Sequence, residues 1–393
     1  MSGKGPAGEE LTRPFERHDA YGTLGMGPMS VGEKIRLAVL AVTVLPIKLV
    51  GALTALLSFW LCCRLSFLLP ASVRSDAVAR LGNWHCRACL WWLGFWRVTW
   101  IKVGEQQQQQ QQQRGGGGGK KGGGSSKGGS SSKAGGAGGA GVEARAVGIV
   151  SNHISWCDIL LHMSHSFPAF VARSQTRRTP IIGIISHMMG CLYVDRDASA
   201  RKSGSASSAH TTGGSASSAS IVGGGSTNSS TNGSVGSDSD AAAAQPRVSD
   251  AVRRRMDDAA TGRLPGARPL LLFPEGTTTN GRYLLPFKTG AFLAGQPLQP
   301  VVIRYGEDGV SPAWEMIPAA RHIFLMLCNP VHSVTAFELP VYHPSEEERR
   351  DPRLYAANVR KLMLDFSGLQ PTSATYTDKM AYMQRLKQEY GLS

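Results

Sequence analysis

Two long stretches of this chain hold almost no large apolar side chain. Gln106 to Gln113 is an unbroken glutamine run, and Gly115 to Gly141 is nearly all Gly, Ser, Ala and Lys. Ser203 to Ala244 repeats the pattern with Ser, Gly, Thr and Ala. A segment without apolar surface to bury cannot offset the entropy of ordering its backbone. Both stretches are therefore expected to be disordered insertions into surface loops. Of 393 residues, roughly 300 remain to fold, which suits one domain with an N-terminal appendage.

Other shortages exclude whole chemistries. Acid is scarce: 28 Asp and Glu stand against 42 Lys and Arg, a net charge of +14. The basic residues are scattered and lack the interleaved aromatics of a nucleic-acid surface, so no nucleic-acid partner is expected. An anionic membrane or an anionic substrate accounts for the balance. Cysteine is sparse and odd in number, at seven. Cys86 and Cys89 form a lone C-x-x-C. Haem attachment needs a histidine after the second cysteine, and zinc needs a second ligand pair. Free thiols in a reducing compartment, and no metal site, are the expectation.

Charge is nearly missing from Leu37 to Cys63, where Lys48 is the single charged residue and Pro46 the single helix breaker. About 20 apolar residues cross a bilayer core, so the segment is long enough to span. It starts too far from the N-terminus for a cleaved signal peptide. A hairpin broken at Pro46–Lys48 that dips into one leaflet is the alternative, and a buried soluble helix is a third. Arg64, Arg74, Arg80 and Arg87 outweigh Lys34 and Arg36, which places the C-terminal bulk in the cytosol. Trp91 and Trp92 then suit a membrane-interface helix, and alternation from Phe95 to Gly104 suits a first strand.

After the first insertion, strands alternate with helices. "AVGIV", "GCLYVDR", "RPLLLFPEG" and "QPVVIRY" read as strands, and "VSDAVRRRMDDAATG" as an amphipathic helix ended by Gly262. This alternation predicts an α/β fold, a mixed sheet flanked by helices, behind an N-terminal membrane helix or hairpin. Ser151-Asn152 reads as a turn capping a helix that begins near Ser155.

Candidate chemical residues fall at strand ends, where such folds place their sites. His153 and Asp158 are five apart across a turn entering a helix. A carboxylate there accepts one imidazole N–H, fixes the tautomer, and leaves the other nitrogen free to take a hydroxyl proton. Ser155 or Cys157 as a nucleophile is the alternative, but no G-x-S-x-G elbow surrounds Ser155, and Cys157 sits in an apolar run. His162 and His165 read as helix-face residues. "LLLFPEGTTTNG" ends a buried strand in a glycine-punctuated loop whose amides and hydroxyls suit an oxyanion or phosphate.

With that loop, four blocks stand in order: His153-x4-Asp158, Gly190-x5-Arg196, Phe273-Pro274-Glu275-Gly276-Thr277 and Pro300-Val301-Val302-Ile303. Their order and spacing resemble the motif blocks of glycerolipid acyltransferases. "FPEGTTTNG", "YLLPFKTGAFLAG" and "LPVYHPSEEERRDPRLYAANVRKLM" are similar to the lysophospholipid branch, particularly plant-type lysophosphatidylethanolamine acyltransferases. The resemblance implies acyl transfer from acyl-CoA, a co-substrate and not a cofactor, to a lysophospholipid, either lysophosphatidylethanolamine or lysophosphatidylcholine. It implies His153 as base and Asp158 as its orienting group. Gly190, Arg196, Glu275, Gly276, Thr277 and Thr278 would bind substrate, with Arg196 on the phosphate. It also implies an endoplasmic reticulum membrane protein with a cytosolic catalytic domain, membrane lipids as surroundings and no specific protein partner.

The phosphatidate-making branch typically carries an arginine directly after Glu-Gly-Thr, where this chain has Thr278. Some relatives add calcium-binding EF-hands; this chain has no Asp-rich loop of that kind, so no calcium control is expected. The second insertion begins directly after the Arg196 block, a departure that bears on the acceptor contacts. The organisation expected is a polar leader (1–34), a membrane-anchoring and interfacial segment (35–103), an insertion (104–141), and an acyltransferase domain (142–393) interrupted at 198–247. Acylation of glycerol 3-phosphate or lysophosphatidic acid, CoA-independent transacylation, and an inactive membrane scaffold are the competing readings.

Overall fold

The computed structural model describes residues 10–104, 145–194, 248–307 and 309–391. The two low-complexity runs, and Arg196 with them, lie outside the described residues. The longest element is helix α1, Val31–Leu65. Its start is set by Ser30, whose hydroxyl accepts the Glu33 amide at 3.1 Å, with the Glu33 carboxylate in the positive first turn. The alternative of a hairpin broken at Pro46–Lys48 does not form: α1 runs through Pro46, and the chain reverses at residues 66–70. Helix α2, Ala71–Leu93, follows and ends at Gly94 in the left-handed region, φ 101°.

One face of α1, through Leu37, Lys48, Gly51, Ala55, Phe59 and Cys63, is buried against the rest of the protein. A Cβ on Gly51 would fall 2.1 Å from the Trp92 ring, so glycine sets the closeness of the α1–α2 crossing. Lys48 is not left to hydrocarbon. Its Nζ donates to the carbonyls of Asn329 (2.5 Å) and Leu93 (3.4 Å). The opposite face exposes Val39, Val42, Val50, Leu53, Leu57 and Leu61. By length and composition α1 can cross a membrane, but Leu37 shares one core with Ile149 and Val301 of the sheet.

That sheet has seven strands. In chain order they are β1 (Phe95–Lys102), β2 (Gly148–Ser151), β3 (Ala169–Arg173), β4 (Leu192–Val194), β5 (Leu270–Leu272), β7 (Leu298–Tyr305) and β8 (His332–Glu338). Their spatial order is β1-β8-β7-β2-β5-β3-β4. Only β7 and β8 pair antiparallel; the remaining neighbours are parallel. A parallel sheet needs both faces covered. The covering helices are α3 (Cys157–His165), α4 (Ile182–Met188), α5 (Val248–Ala260), α6 (Ala319–Cys328), α7 (Glu346–Arg350) and α8 (Pro352–Ser367). A two-stranded ribbon, β6 (Tyr283–Leu284) with β9 (Gln370–Pro371), and a final helix, α9 (Tyr376–Glu389), complete the chain. The expected mixed sheet flanked by helices is what forms. Strand β1, assigned from sequence to the anchoring segment, is an edge of this sheet.

The leader is not merely polar. Phe15, Tyr21 and Leu24 are each 5 % exposed or less, and burying one such side chain contributes about 1.5–3 kcal/mol. Arg17 forms buried ion pairs with Asp19 and Glu315. The carbonyls of Arg13 and Glu16 accept from the Asn280 side chain, and that of Pro14 from the Asn280 amide. Residues 13–21 therefore strap the loop that follows β5.

Candidate active site

β2 and β5 are parallel neighbours, with Val150 paired to Leu272, so the segments leaving them emerge side by side. His153 leaves β2, and Phe273-Pro274-Glu275 leaves β5. The two are stitched together by backbone. The His153 amide donates to Glu275 Oε1 at 2.8 Å, and its carbonyl accepts from the Thr279 amide at 2.9 Å. The imidazole stacks on Phe273 with centroids 4.0 Å apart. The expected turn cap does not form. Asn152 instead clamps β7, accepting from the Ile303 amide at 2.7 Å and donating to its carbonyl at 3.0 Å.

Asp158, on the first turn of α3, is fully buried. Its Oδ2 lies 2.9 Å from His153 Nδ1 and accepts the amides of Ile154 (2.7 Å) and Ser155 (2.9 Å). Oδ1 accepts the Tyr305 hydroxyl at 2.6 Å. A carboxylate so held only accepts, which puts the imidazole hydrogen on Nδ1 and leaves Nε2 as a base. The His153 side chain keeps 20 % of its surface exposed and lines a cleft of about 860 Å³. Thr277, Thr278 and Lys288 supply polar lining; Trp156, Phe170, Val252, Phe273 and Trp314 supply apolar lining.

The other predicted residues take various places. Gly276 and Thr277 line the cleft; Gly276 has φ 73°, and a Cβ there would meet Lys288 Nζ at 2.5 Å. Thr278 lines it too, but its hydroxyl is occupied, donating to the Trp314 carbonyl (2.5 Å) and accepting from Lys379 Nζ (2.9 Å). Glu275, expected to place the acceptor head, faces inward. It is 2 % exposed, and its oxygens accept the amides of His153 and Leu285. Burial pushes its pKa up to about 8, against the pull of those two amides. Gly190 lies in the turn between α4 and β4, outside the cleft lining. Arg196 lies outside the described residues.

The alternative nucleophiles are out of reach. Ser155 and Cys157 are fully buried, and desolvation holds the Cys157 thiol well above its usual range. All seven cysteines are free. His165 contacts Glu338 at 3.1 Å, and His162 is buried, its pKa lowered to about 4 by desolvation. Among the described residues no cluster of His, Cys, Asp or Glu is arranged to hold a metal.

Three contributors escape a reading of the sequence alone. Tyr305 is one turn of alternation at a strand end. Lys288 stands in "YLLPFKTGAFLAG", a stretch noticed for its similarity and not for its charge. Lys379 comes from α9, a hundred residues beyond Thr278, and burial lowers its pKa to about 8. Only Lys288 carried a local signal, a lone cation beside a strand-end loop.

Known proteins show what the chain as a whole is similar to. Residues 141–304 match the Acyltransferase family. The lysophospholipid acyltransferase LPEAT1 of Arabidopsis thaliana is 34% identical over 95% of this chain and 87% of its own length. Human lysophosphatidylcholine acyltransferase 1 is 40% identical over 36% of this chain, a match covering 26% of that protein. A crystal structure of the 1-acyl-sn-glycerophosphate acyltransferase PlsC from Thermotoga maritima aligns with 86% of this chain and 99% of its own, at 15% identity and a TM-score of 0.46. With the relationship to LPEAT1 running through nearly the whole of both chains, this protein belongs to the acyltransferase family, on its lysophospholipid branch.

Proposed function

We propose that the protein moves a fatty acyl group from acyl-CoA to the free hydroxyl of a lysophospholipid, lysophosphatidylethanolamine or lysophosphatidylcholine. The observation that carries this reading is the His153–Asp158 pair, 2.9 Å apart, with the imidazole opening on the cleft. His153 Nε2 takes the hydroxyl proton as the oxygen attacks the thioester carbonyl. The carbon–oxygen bond forms, the carbon–sulfur bond breaks, and the imidazolium returns its proton to the departing CoA thiolate. Gly276 and Thr277 line the cleft and would meet the transient oxyanion there. Lys288 and Arg196 supply cations for the acceptor's phosphodiester. The apolar lining around Trp156, Phe170 and Val252 suits acyl chains.

The exposed apolar face of α1 supports membrane association. Because its other face stays on the catalytic core from Leu37 to Cys63, lodging in one leaflet suits it better than a full crossing. The endoplasmic reticulum, with the catalytic domain in the cytosol, is the proposed setting.

The test is an assay of membranes carrying the protein with labelled acyl-CoA and four acceptors: lysophosphatidylethanolamine, lysophosphatidylcholine, lysophosphatidic acid and glycerol 3-phosphate. Transfer to the first two, lost in His153→Ala, is expected. Preference for the last two, or transfer from a phospholipid donor without acyl-CoA, would replace this reading with a rival.

A further inference from the structure

β7 runs further than its parallel neighbour. Val301 pairs with Ser151, the last residue of β2, yet β7 continues to Tyr305. The overshoot lies on the side where His153 emerges, and it carries a phenol to the first turn of α3. There the hydroxyl donates to Asp158 Oδ1 at 2.6 Å. The carboxylate's other donors, His153 Nδ1 and the amides of Ile154 and Ser155, all address Oδ2.

This division of labour has a consequence for orientation. The terminal torsion of aspartate is broad and soft, and donors on one oxygen restrain it from one edge only. A donor on the second oxygen restrains it from the opposite edge and narrows the remaining swing. It also withdraws charge from the carboxylate. We infer that Tyr305 is a positioning residue for acyl transfer: its hydroxyl holds the Asp158 carboxylate toward His153 and shares its charge, so that the imidazole is oriented to act as a base. The inference rests on the general-base reading of His153.

Two further observations support it. Burial and the neighbouring Asp158 charge hold the Tyr305 hydroxyl well above its usual pKa, so it stays a donor. Tyr305 does not line the cleft that contains His153; it lines a separate one of about 390 Å³ with Ile154, Gly306 and Ala313. Its contribution therefore reaches substrate through Asp158 and His153, and not by contact.

The experiment compares wild type, Tyr305→Phe, His153→Ala, and a protein carrying a singly fluorinated tyrosine at position 305. Phenylalanine keeps the ring that packs on Phe95, centroids 5.7 Å apart. Rates with acyl-CoA and lysophosphatidylethanolamine are followed against pH. In Tyr305→Phe the three donors on Oδ2 remain, and the carboxylate's undiluted charge favours an imidazolium beside it over a neutral ring. The acid limb of kcat/KM should then move to higher pH, and kcat on the plateau should fall about tenfold, the worth of one hydrogen bond to a charged group. Both KM values should hold. The fluorinated phenol, a stronger donor, should move the acid limb to lower pH. Wild-type kcat and an unmoved limb in Tyr305→Phe, with His153→Ala inactive, would overturn the inference and leave the proposed reaction standing. An active His153→Ala removes the reaction beneath it. If thermal melting shows Tyr305→Phe to be unfolded, the fluorinated protein decides alone, and an unmoved limb there overturns the inference.

Discussion

Glu275 Oε1 accepts the backbone N–H of His153 at 2.8 Å, while its Oε2 accepts that of Leu285 at 3.0 Å. The glutamate of the Phe-Pro-Glu-Gly motif thus braces His153 from behind. Glu275→Gln should be damaging despite its shape, because one oxygen becomes an NH₂ that meets an amide N–H donor to donor. An orphaned buried donor costs about 1–3 kcal/mol, and the mutant should melt lower and turn over more slowly.

A pH signature accompanies this loss. Burial lifts the Glu275 pKa from 4.5 to about 8, so between those values the folded protein holds a proton that the unfolded chain has released. The associated stability is complete below pH 4.5 and is lost as pH rises toward 8. Melting temperatures of the purified protein across that window should show a smaller decline in Glu275→Gln. An unchanged decline would mean that Glu275 is not its source.

Lys288 is the one Lys or Arg among the described residues lining the His153 cleft. Lys288→Ala should raise KM for lysophosphatidylethanolamine about tenfold, with kcat little changed, since a phosphate contact made equally in ground and transition states supplies uniform binding. A monoacylglycerol acceptor, which has no phosphate, is the control and should be used as before. Equal losses on both acceptors would assign Lys288 to the loop's structure instead.

The leader should be indispensable to activity. Asn280 binds the carbonyls of Arg13, Pro14 and Glu16, and the preceding Thr279 amide binds the His153 carbonyl. Loosening the strap therefore loosens His153. Removing residues 1–21 should abolish turnover and lower the melting point, while Asn280→Ala, which keeps the bond to Pro14, should weaken both less. Full activity in the truncated protein would reduce the strap to packing.

How much of this was legible in sequence follows from the range of each interaction. The strands around His153 and Glu275 were readable because short apolar runs end in Asn, Pro and Gly. The pair of His153 and Asp158 was readable only beside the Phe273–Thr277 block, since one histidine and one aspartate five apart are close to chance. The strap was not, since Phe15, Tyr21 and Leu24 are isolated apolar residues among Gly and charge, with no period to mark them. Pro46 left a hairpin open beside a continuous helix for a related reason: a proline costs a helix one hydrogen bond, whereas Leu37 on one side and Lys48 and Gly51 on the other are held by the rest of the protein. Glu275 read as a substrate ligand because a motif gives the residue and not the direction it faces.

Thr278 occupies the position where the phosphatidate-making branch carries arginine, and its surroundings explain why a direct exchange should fail here. Its hydroxyl joins the Trp314 carbonyl to Lys379 Nζ, and Lys379 also donates to the Thr278 carbonyl at 2.8 Å. An arginine would lose both hydroxyl bonds and set its guanidinium beside a buried ammonium. Thr278→Arg should therefore melt lower than wild type near neutral pH. Burial already lowers the Lys379 pKa from 10.5 to about 8. Between those values the unfolded chain binds the extra proton, so stability rises with pH, and a neighbouring guanidinium should start that rise at lower pH and enlarge it. Lys379→Met in the Thr278→Arg background should remove the repulsion, restore the melting point, and leave the new guanidinium as a second cation beside Lys288 at the cleft wall. In that double mutant the ratio of kcat/KM for lysophosphatidic acid to that for lysophosphatidylethanolamine should increase, because a doubly charged phosphate gains more from an added cation. The measurement is that ratio in wild type, both single mutants and the double mutant. If Thr278→Arg alone shifts it at wild-type stability, Lys379 is not the barrier.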